Sequence, residues 1–430
     1  MAENIVHLPR PVSLRPEPHS LGFYVRVGHN DHREVLDLIA TGERGIFGFV
    51  IDARNVERQA ELLHEAKRHN FDLILDPKTQ PMGLPGGHSK SLAELPWGAE
   101  RHHHLTDFDG DAGRAKVERI VEMAVENGFT QILGPSHLIS GPNDPWLRRD
   151  VRAMGWMADS VARHGGGLAV VYSLALPMEV LRKKAERQAV VAALADAPHE
   201  SLWLKVENFG DTATGEKTAA YIEACRDFHQ QGVPVIGDYV GGLPALGALA
   251  FGSVGGIAHG VTVNQNFSAS SWRRPPTGRG GGGGWRVYVP QLDMLMKPAV
   301  AEVLLSAPRI RARCGCRDTH CCPHGPRDMI ARPVRHALYQ RAREIEMISE
   351  TPSGIRVERY LDEKVRRVSD DVAAIAGAAG LSPALKKTLE KKQDAMSRFR
   401  QVMVHTASEV DAAPSAAIPK RHVRRDSENK

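Results

Sequence analysis

Residues 202–238 read LWLKVENFGDTATGEKTAAYIEACRDFHQQGVPVIGD, and this stretch decides the predicted fold. Two short apolar runs, 202–206 and 234–237, flank a segment at 219–231 that places Ile222, Cys225 and Phe228 on one helical face. Both runs are continuous rather than alternating, which is typical of parallel strands buried on both faces. The stretch therefore predicts a strand–helix–strand unit.

The same alternation of apolar run and amphipathic segment fills the first 265 residues. Helical patterns recur at 56–69 and 115–127, and eight strand-like runs occur at 22–27, 45–51, 71–75, 130–133, 168–174, 202–206, 234–237 and 255–263. Eight repeats of strand and helix predict a (β/α)8 barrel of the TIM type, with an open doubly wound sheet as the alternative. No G-x-G-x-x-G follows the first run, which disfavours a dinucleotide-binding version of that sheet.

Polar residues stand where the predicted strands end. A barrel brings the carboxyl ends of its strands to one mouth, so we expect these side chains to converge there. Carboxylates at such a mouth can act as nucleophile, general base or hydrogen-bond acceptor. Lys205 and Glu207 are two residues apart and leave the same strand face, and a lysine there could pair with a carboxylate, bind an anion or form a Schiff base. The candidates are Asp52, Arg54, Asp76, Lys205, Glu207, Asn208, Asp238 and His259.

Two long loops interrupt the repeat, at 77–109 and at 267–284. Both leave the predicted mouth, and long loops in a compact domain are commonly functional lids or disordered segments. The second contains Arg273 and Arg274 ahead of a run of five glycines that begins at Gly280. We expect these arginines to contact substrate, the alternative being a flexible insertion without a role.

Four of the five cysteines lie within nine residues, at Cys314, Cys316, Cys321 and Cys322. His336 follows on a predicted helix. Zinc typically takes four Cys and His ligands, so this group predicts a zinc site, and a full set of protein ligands makes the zinc structural. A redox-active or coincidental cysteine cluster is the other interpretation.

Composition divides the chain into four parts: an N-terminal extension at 1–20, the barrel at 21–306, a zinc-binding helical subdomain at 307–404 and a basic disordered tail at 405–430. Residues 305–430 contain 25 Lys and Arg against 16 Asp and Glu, a net charge of +9 that leaves −4 for the rest. This asymmetry predicts contact with a polyanion, although a solvated helical surface would look the same. No segment approaches the roughly 18 apolar residues of a membrane span, and free thiols suit a reducing cytoplasm.

The barrel and the cysteine group together resemble the tRNA-guanine transglycosylase family. Cys314-Gly315-Cys316 matches the C-x-C element of its zinc subdomain, Cys321 or Cys322 matches its third cysteine, and His336 matches its helical histidine. The stretch HALYQ at 336–340 is similar to the helix around that histidine. Four residues separate Cys316 from Cys321 here, where the family has two, and the family's R-N-x-R-x-G stretch is missing.

The resemblance implies exchange of a purine base in tRNA or DNA. It implies Asp238 as nucleophile and Asp76 as base, with Glu207 and Asn208 against the base edge. Arg273 and Arg274 would follow the phosphate backbone, and two chains would pair through the zinc subdomain. A barrel lyase or hydrolase that acts on a small molecule through Lys205 or Glu207 is a second hypothesis. A non-catalytic nucleic-acid-binding protein is a third.

Overall fold

The structure is a computed structural model that describes residues 20–42, 45–165, 167–274, 284–409 and 415–422. Its centre is a closed barrel of eight parallel strands, which confirms the predicted fold. The strands are β1 Gly22–Arg26, β2 Gly48–Asp52, β3 Asp72–Asp76, β4 Gln131–Leu133, β5 Ala169–Pro177, β6 Ser201–Glu207, β7 Val235–Asp238 and β8 Gly256–Gly260. Each strand pairs with its sequence neighbour, and β8 closes the barrel on β1.

Helices cover the outside of the barrel. Asp144 begins one of them by accepting a hydrogen bond from the backbone N–H of Trp146 at 3.0 Å, with Pro145 in the first turn, where proline is favoured. Thr214 caps another in the same way. The longer helices of this layer are His32–Ala40, Ala60–Arg68, Gly110–Glu126, Pro145–Arg163, Lys184–Ala193, Gly215–Phe228 and Gly242–Ala250.

The interior of the barrel holds its own apolar layer. Every strand contributes one buried side chain to it, and Phe47 joins them from the residue before β2. The close packing explains Gly48, because a Cβ atom there would lie 2.4 Å from the backbone oxygen of Asp72. The eight strand residues are Tyr24, Val50, Ile74, Leu133, Val171, Trp203, Ile236 and Ala258.

The loop at 77–109 contains regular secondary structure. It contains the short helices Thr79–Met82 and Lys90–Ala93 and the 3-10 turn Leu105–Phe108. The indole N–H of the buried Trp97 donates to the carbonyl oxygen of Pro77 at 2.9 Å, which holds the loop against the end of β3. The second predicted loop begins with strand Asn266–Phe267, which pairs with Phe209–Gly210, and helix Ser270–Arg273; its glycine run at 280–283 lies outside the described residues.

The chain after the barrel is helical, as predicted, but it joins the barrel wall. The hairpin Val287–Val289 and Met294–Met296 comes first. Helix Pro333–Glu350 then packs against His32–Ala40 and Gly242–Ala250, in the place of an eighth outer helix. The other elements are Pro298–Ser306, Pro308–Cys314, Pro326–Ala331, Ser353–Tyr360, the π-helical segment Leu361–Arg366, Arg367–Ala376 and Pro383–Glu409.

The predicted disordered tail is partly wrong. The last helix continues to Glu409, and residues 415–422 cross the amino-terminal end of the barrel. The backbone N–H of Ala416 donates to Gly252 at 2.7 Å, and that of His422 donates to the carboxylate of Asp72 at 2.8 Å. The extension at 1–19 and the tail at 423–430 lie outside the described residues. No helix in the described part of the chain is long and apolar enough to cross a membrane.

Candidate functional site

A layer of charged side chains lies above the apolar layer of the barrel. Side chains alternate along a strand, so the residues two positions beyond the inner apolar residues also face the interior, at the carboxyl end. Most of these positions are charged, in a place where charge is costly unless it is paired. The charged residues of the layer are Arg26, Asp52, Asp76, Lys205 and Asp238.

Arg26 is the centre of this layer. Its guanidinium group donates from Nε to Asp238 Oδ1 at 2.5 Å and from Nη2 to Oδ2 at 2.7 Å, a two-pronged pair. Its remaining nitrogen donates to Asp76 Oδ2 at 2.6 Å. Burial works against the charge, but Asp238, Tyr239 and Asp76 together raise the pKa of Arg26 well above its usual value. One cation therefore ties β1 to β3 and β7.

Lys205 lies on the other side of Asp238. Its Nζ atom is 3.5 Å from Asp238 Oδ2 and donates a hydrogen bond to the side-chain oxygen of Gln80. The amide nitrogen of Gln80 donates in turn to Ser136 Oγ at 2.9 Å and Ser173 Oγ at 3.0 Å, so these side chains fix one another. Burial lowers the pKa of Lys205 although Asp238 opposes the shift.

Lys78 and Tyr239 meet at the entrance. The Nζ atom of Lys78 donates to the hydroxyl of Tyr239 at 3.3 Å and lies 3.1 Å from Asp76 Oδ2 and 3.8 Å from Asp52 Oδ2. Burial favours the neutral amine, but Asp76, Tyr239 and Asp52 raise the pKa of Lys78 above its usual value. The same contacts reach Asp76, whose pKa falls well below its usual value because Lys78 and Arg26 outweigh burial.

Three cations surround the ring of Tyr239. The Cζ atom of Arg26 is 4.5 Å and the Nζ atom of Lys205 is 4.7 Å from the ring centroid, and Lys78 contacts the hydroxyl. Burial raises the pKa of the phenol, but these three cations outweigh burial and the pKa lies below its usual value. A phenol of this kind loses its proton more readily than an ordinary tyrosine.

Strained backbone accumulates at the same rim. Six described non-glycine residues have positive φ, and four of them follow the ends of barrel strands. The bulky Lys78 and Tyr239 have φ of 58° and 60°, a conformation that such residues rarely adopt and that costs about 1–3 kcal/mol. The other two are Asn208 and Asn264. Strain of this kind is common where side chains are held for function.

A cavity of about 480 Å³ opens over this layer. Asp76 and Asp238 do not line it, because Arg26, Lys78 and Tyr239 lie between them and the open space. Its volume is within the range of small-molecule sites. The lining residues are Arg26, Val27, Gly28, His29, Val50, Asp52, Arg54, Asn55, Lys78, Ser91, Tyr239 and Asn264.

The predicted mouth residues divide into two groups. Asp52 and Arg54 line the cavity and form a pair, with Arg54 Nη2 at 2.6 Å from Asp52 Oδ2. Asp76, Lys205 and Asp238 lie beneath the cavity in the charged layer. The nucleophile role of Asp238 and the base role of Asp76 stay predictions, and the carboxylate of Asp238 is wholly buried against Arg26.

Glu207 and Arg273 form a second pair at the rim. Both terminal nitrogens of the Arg273 guanidinium, Nη1 and Nη2, donate to the Glu207 carboxylate, so the loop after β8 is tied to the end of β6. Arg274 is exposed. Asn208 is exposed too, and its backbone groups bond to Phe267 and Lys217. The structure thus places these four residues beside the cavity rather than on its lining.

The prediction that His259 reaches the mouth is wrong. Its strand neighbour Ala258 belongs to the inner layer, so His259 points outward, with its ring 5.2 Å from that of Phe23. Its Nδ1–H donates to the carbonyl oxygen of Gly260 at 2.7 Å. Burial lowers its pKa to about 3, which makes it a neutral side chain between barrel and helices.

The cysteine group does form a candidate metal site, although with one member fewer. Cys316, Cys321, Cys322 and His336 bring their ligand atoms within 4.8 Å of one another. Cys321 Sγ and Cys322 Sγ are 3.5 Å apart, and His336 Nδ1 lies 3.3 and 3.4 Å from them. Ligands about 2.0–2.3 Å from one zinc ion would be separated by similar distances.

The surroundings of His336 suit a metal ligand. Its Nε2–H donates to the carbonyl oxygen of Tyr288 at 3.1 Å, which leaves Nδ1 free to face the thiols. The ligand role predicted for Cys314 is wrong in this structure. Cys314 ends helix Pro308–Cys314 and is buried in the apolar core, outside the group of four.

Arg26, Lys78 and Tyr239 carry most of the contacts at the mouth, and none of them was assigned a role from sequence. Arg26 lies two residues after the inner Tyr24, so alternation alone would have placed it inside the barrel. Tyr239 follows Asp238 directly, at the point where a strand ends. Its approach to Lys78, 161 residues away, has no sequence signal.

Comparisons with known proteins add little beyond the fold. No protein-family model matches this chain, and no curated protein matches it. A GH10 xylanase from Bispora sp. MEY-1 is 11% identical, with a TM-score of 0.37 over 56% of this chain and 83% of that one. A Clostridium thermocellum xylanase is 7% identical, with a TM-score of 0.39 over 60% and 62%.

A phosphonomutase from Burkholderia cenocepacia, itself titled putative, is 13% identical, with a TM-score of 0.34 over 56% of this chain and 89% of that one. Values this low identify neither a family nor an activity. The resemblance to the tRNA-guanine transglycosylases therefore stays a prediction.

Proposed function

We propose that the protein is a barrel enzyme of the lyase or hydrolase type, which acts on a small polar molecule by proton transfer at Tyr239. One observation supports this most: a phenol of lowered pKa opens into the cavity and is held among Lys78, Arg26 and Lys205. Perturbed groups in a cavity are common in active sites, because catalysis needs a proton acceptor tuned to its task.

Tyr239 would take a proton from substrate or water as a phenolate and return it as a phenol. The three cations lower the free energy of the phenolate, and Lys78 donates a hydrogen bond to its oxygen. General acid–base catalysis of this kind contributes about 10²–10⁴-fold in rate. Asp76 and Asp238 would act as positioning residues, because they hold Lys78 and Arg26 in place.

One zinc ion would bind to the group formed by Cys316, Cys321, Cys322 and His336. Four protein ligands fill a tetrahedral site, so the zinc would be structural. It would tie the segment at 316–322 to helix Pro333–Glu350. No role in proton transfer follows from it.

Base exchange on a nucleic acid is the second candidate. The three-cysteine, one-histidine group favours it, since the resembled family has this ligand set. The basic surface beside the group favours it too: Arg309, Arg313 and Arg317 line an open cavity of about 620 Å³, where a phosphate backbone could lie. Asp238 would have to leave Arg26 to attack a sugar, whereas Asp52 already lines the mouth.

The test is a pair of activity screens on zinc-loaded protein. In the first, small carboxylates and phosphate esters are offered as substrates for elimination and hydrolysis. Tyr239→Phe is the matched variant, because it removes one oxygen and keeps the ring. We expect a turnover that Tyr239→Phe lowers by about 10²-fold or more, with circular dichroism unchanged. Turnover that is equal in the variant would contradict the assignment.

In the second screen, labelled guanine is offered together with cellular tRNA and DNA. Incorporation that is lost in Asp52→Asn or Asp238→Asn would establish base exchange instead and would identify the polymer. Binding of nucleic acid without turnover in either screen would favour the third hypothesis, a non-catalytic binder. That binding should then survive the simultaneous loss of Asp76, Glu207 and Asp238.

A further inference from the structure

The wall of the mouth cavity carries unbalanced positive charge. Among the residues that the structure describes, the cationic side chains Arg26, Arg54 and Lys78 line it, together with one carboxylate, Asp52. The other carboxylates that pair with Arg26 and Lys78 are Asp76 and Asp238, and neither of them lines the cavity. A molecule in the cavity therefore meets the cations first.

The cations at the entrance also keep hydrogen-bond donors available to a ligand. Arg54 uses Nε and Nη2 on Asp52, while its Nη1 has only a long contact of 3.5 Å with Ser91 Oγ. Lys78 bonds to Tyr239 and Asp76, and an ammonium group has three protons to share between carboxylates, hydroxyls and a ligand. His29, Asn55 and Asn264 add polar groups to the same wall.

We propose that this cavity binds a small oxyanion, a carboxylate or a phosphate, between Lys78 and Arg54 and beside the Tyr239 hydroxyl. The inference deepens the proposed function, since it names the substrate class of the same site. Arginine forks and lysine ammonium groups recognise both kinds of oxyanion, because each offers paired oxygens that accept hydrogen bonds.

A bound oxyanion and a Tyr239 phenolate would oppose one another. The charged groups around Tyr239 are Lys78 from the loop after β3, Arg26 from β1, Lys205 from β6, Asp76 from β3 and Arg54 from the turn after β2. An added negative charge beside the phenol offsets part of the electrostatic stabilisation that these cations give to the phenolate. Binding of the anion should therefore return the phenol towards its protonated form, which would suit a site that must protonate its substrate's leaving group.

The test uses isothermal titration calorimetry on full-length, zinc-loaded protein with three probes: inorganic phosphate, pyrophosphate and malonate. We expect at least one to bind, and the strongest probe distinguishes a phosphate site from a dicarboxylate site. Arg54→Gln should weaken that probe at least fivefold. Lys90→Gln is the matched control, because Lys90 is an exposed cation of the same rim that does not line the cavity.

A second measurement locates the anion. The phenol that titrates lowest is followed by ultraviolet difference absorption with and without the bound probe, and we expect its midpoint to rise. Any one of three results would overturn the inference. These are the absence of binding by all three probes, equal affinity of the probe for Arg54→Gln and wild type, and a phenol midpoint that does not move when the probe binds. These readouts need no turnover, so they can fail while Tyr239→Phe still abolishes activity, and the reverse also holds.

Discussion

Arg26 and Asp238 are joined by two parallel hydrogen bonds, of 2.5 and 2.7 Å, although 212 residues separate them in the chain. Both side chains are buried, and Arg26 also holds Asp76. Removing the guanidinium group would leave two carboxylates without their main partner in the barrel interior. We therefore expect Arg26→Met to lower the free energy of unfolding by about 3–5 kcal/mol.

Chemical denaturation at neutral pH measures this loss. Arg68→Met is the control, since Arg68 forms an exposed ion pair with Glu65, a kind worth about 0–1 kcal/mol. Equal stability of the two variants would mean that the buried pair does not hold the barrel mouth together.

Metal content separates the three thiols that lie close to His336 from the thiol of Cys314. We expect one zinc ion per chain in the wild-type protein, its loss in Cys321→Ser, and its retention in Cys314→Ser, because Cys321 belongs to the group around His336 and Cys314 does not. Elemental analysis after gel filtration gives the stoichiometry. Retention of zinc in Cys321→Ser with loss in Cys314→Ser would reverse the assignment of ligands.

Removal of the zinc should also loosen the segment at 316–322 from helix Pro333–Glu350. His336 would keep its bond to Tyr288, but the three thiols would lose the ion that draws them together. Chelated protein should therefore be cleaved faster by trypsin within residues 309–335, where arginines are frequent. An unchanged cleavage pattern would show that the segment at 316–322 is held by packing alone.

Asp72 makes stability depend on pH. It lies buried at the amino-terminal end of β3, and burial raises its pKa to about 6 although it accepts hydrogen bonds from His422 and Gln131. A carboxyl group with a raised pKa in the folded state stabilises the protein below its unfolded pKa of about 3.9. That contribution is lost as the pH rises through 6.

We therefore expect Asp72→Asn to gain stability relative to wild type between about pH 4 and pH 7, by roughly 2–3 kcal/mol in total. The variant keeps an oxygen that can accept the His422 N–H. Denaturation midpoints of both proteins across this range provide the check. A stability difference that does not change with pH would contradict the raised pKa.

Sequence patterns were sufficient for the barrel, because eight continuous apolar runs with amphipathic segments between them leave few other architectures. Alternation also carried the correct expectation that Lys205 points inward. The same alternation places His259 outside the barrel, since it follows the inner Ala258, although its position near the end of a strand suggests the mouth.

Contacts between distant elements were beyond sequence reasoning. The carboxylate partners of Arg26 come from two other strands, and no local pattern states which carboxylates a guanidinium group will meet. The cysteines show the same limit on a smaller scale: closeness in sequence does not say which thiols turn to one point, and Cys314 turns into the core. Residues 415–422 have the composition of a loose tail, yet they pack along the barrel end.

The proposed function depends on Tyr239 being an unusually acidic phenol, which the cations of the barrel mouth would make it. The most direct measurement is an ultraviolet pH titration of tyrosine absorption in the zinc-loaded protein, wild type against Tyr239→Phe. Burial raises the pKa values of five of the seven tyrosines, whereas the pKa of Tyr239 is lowered, so Tyr239 should titrate before those five. We expect one phenol in the wild-type protein to titrate below the usual value of about 10. This phenol should be missing in the variant. A low-titrating phenol that persists in Tyr239→Phe, or none in the wild type, would contradict it.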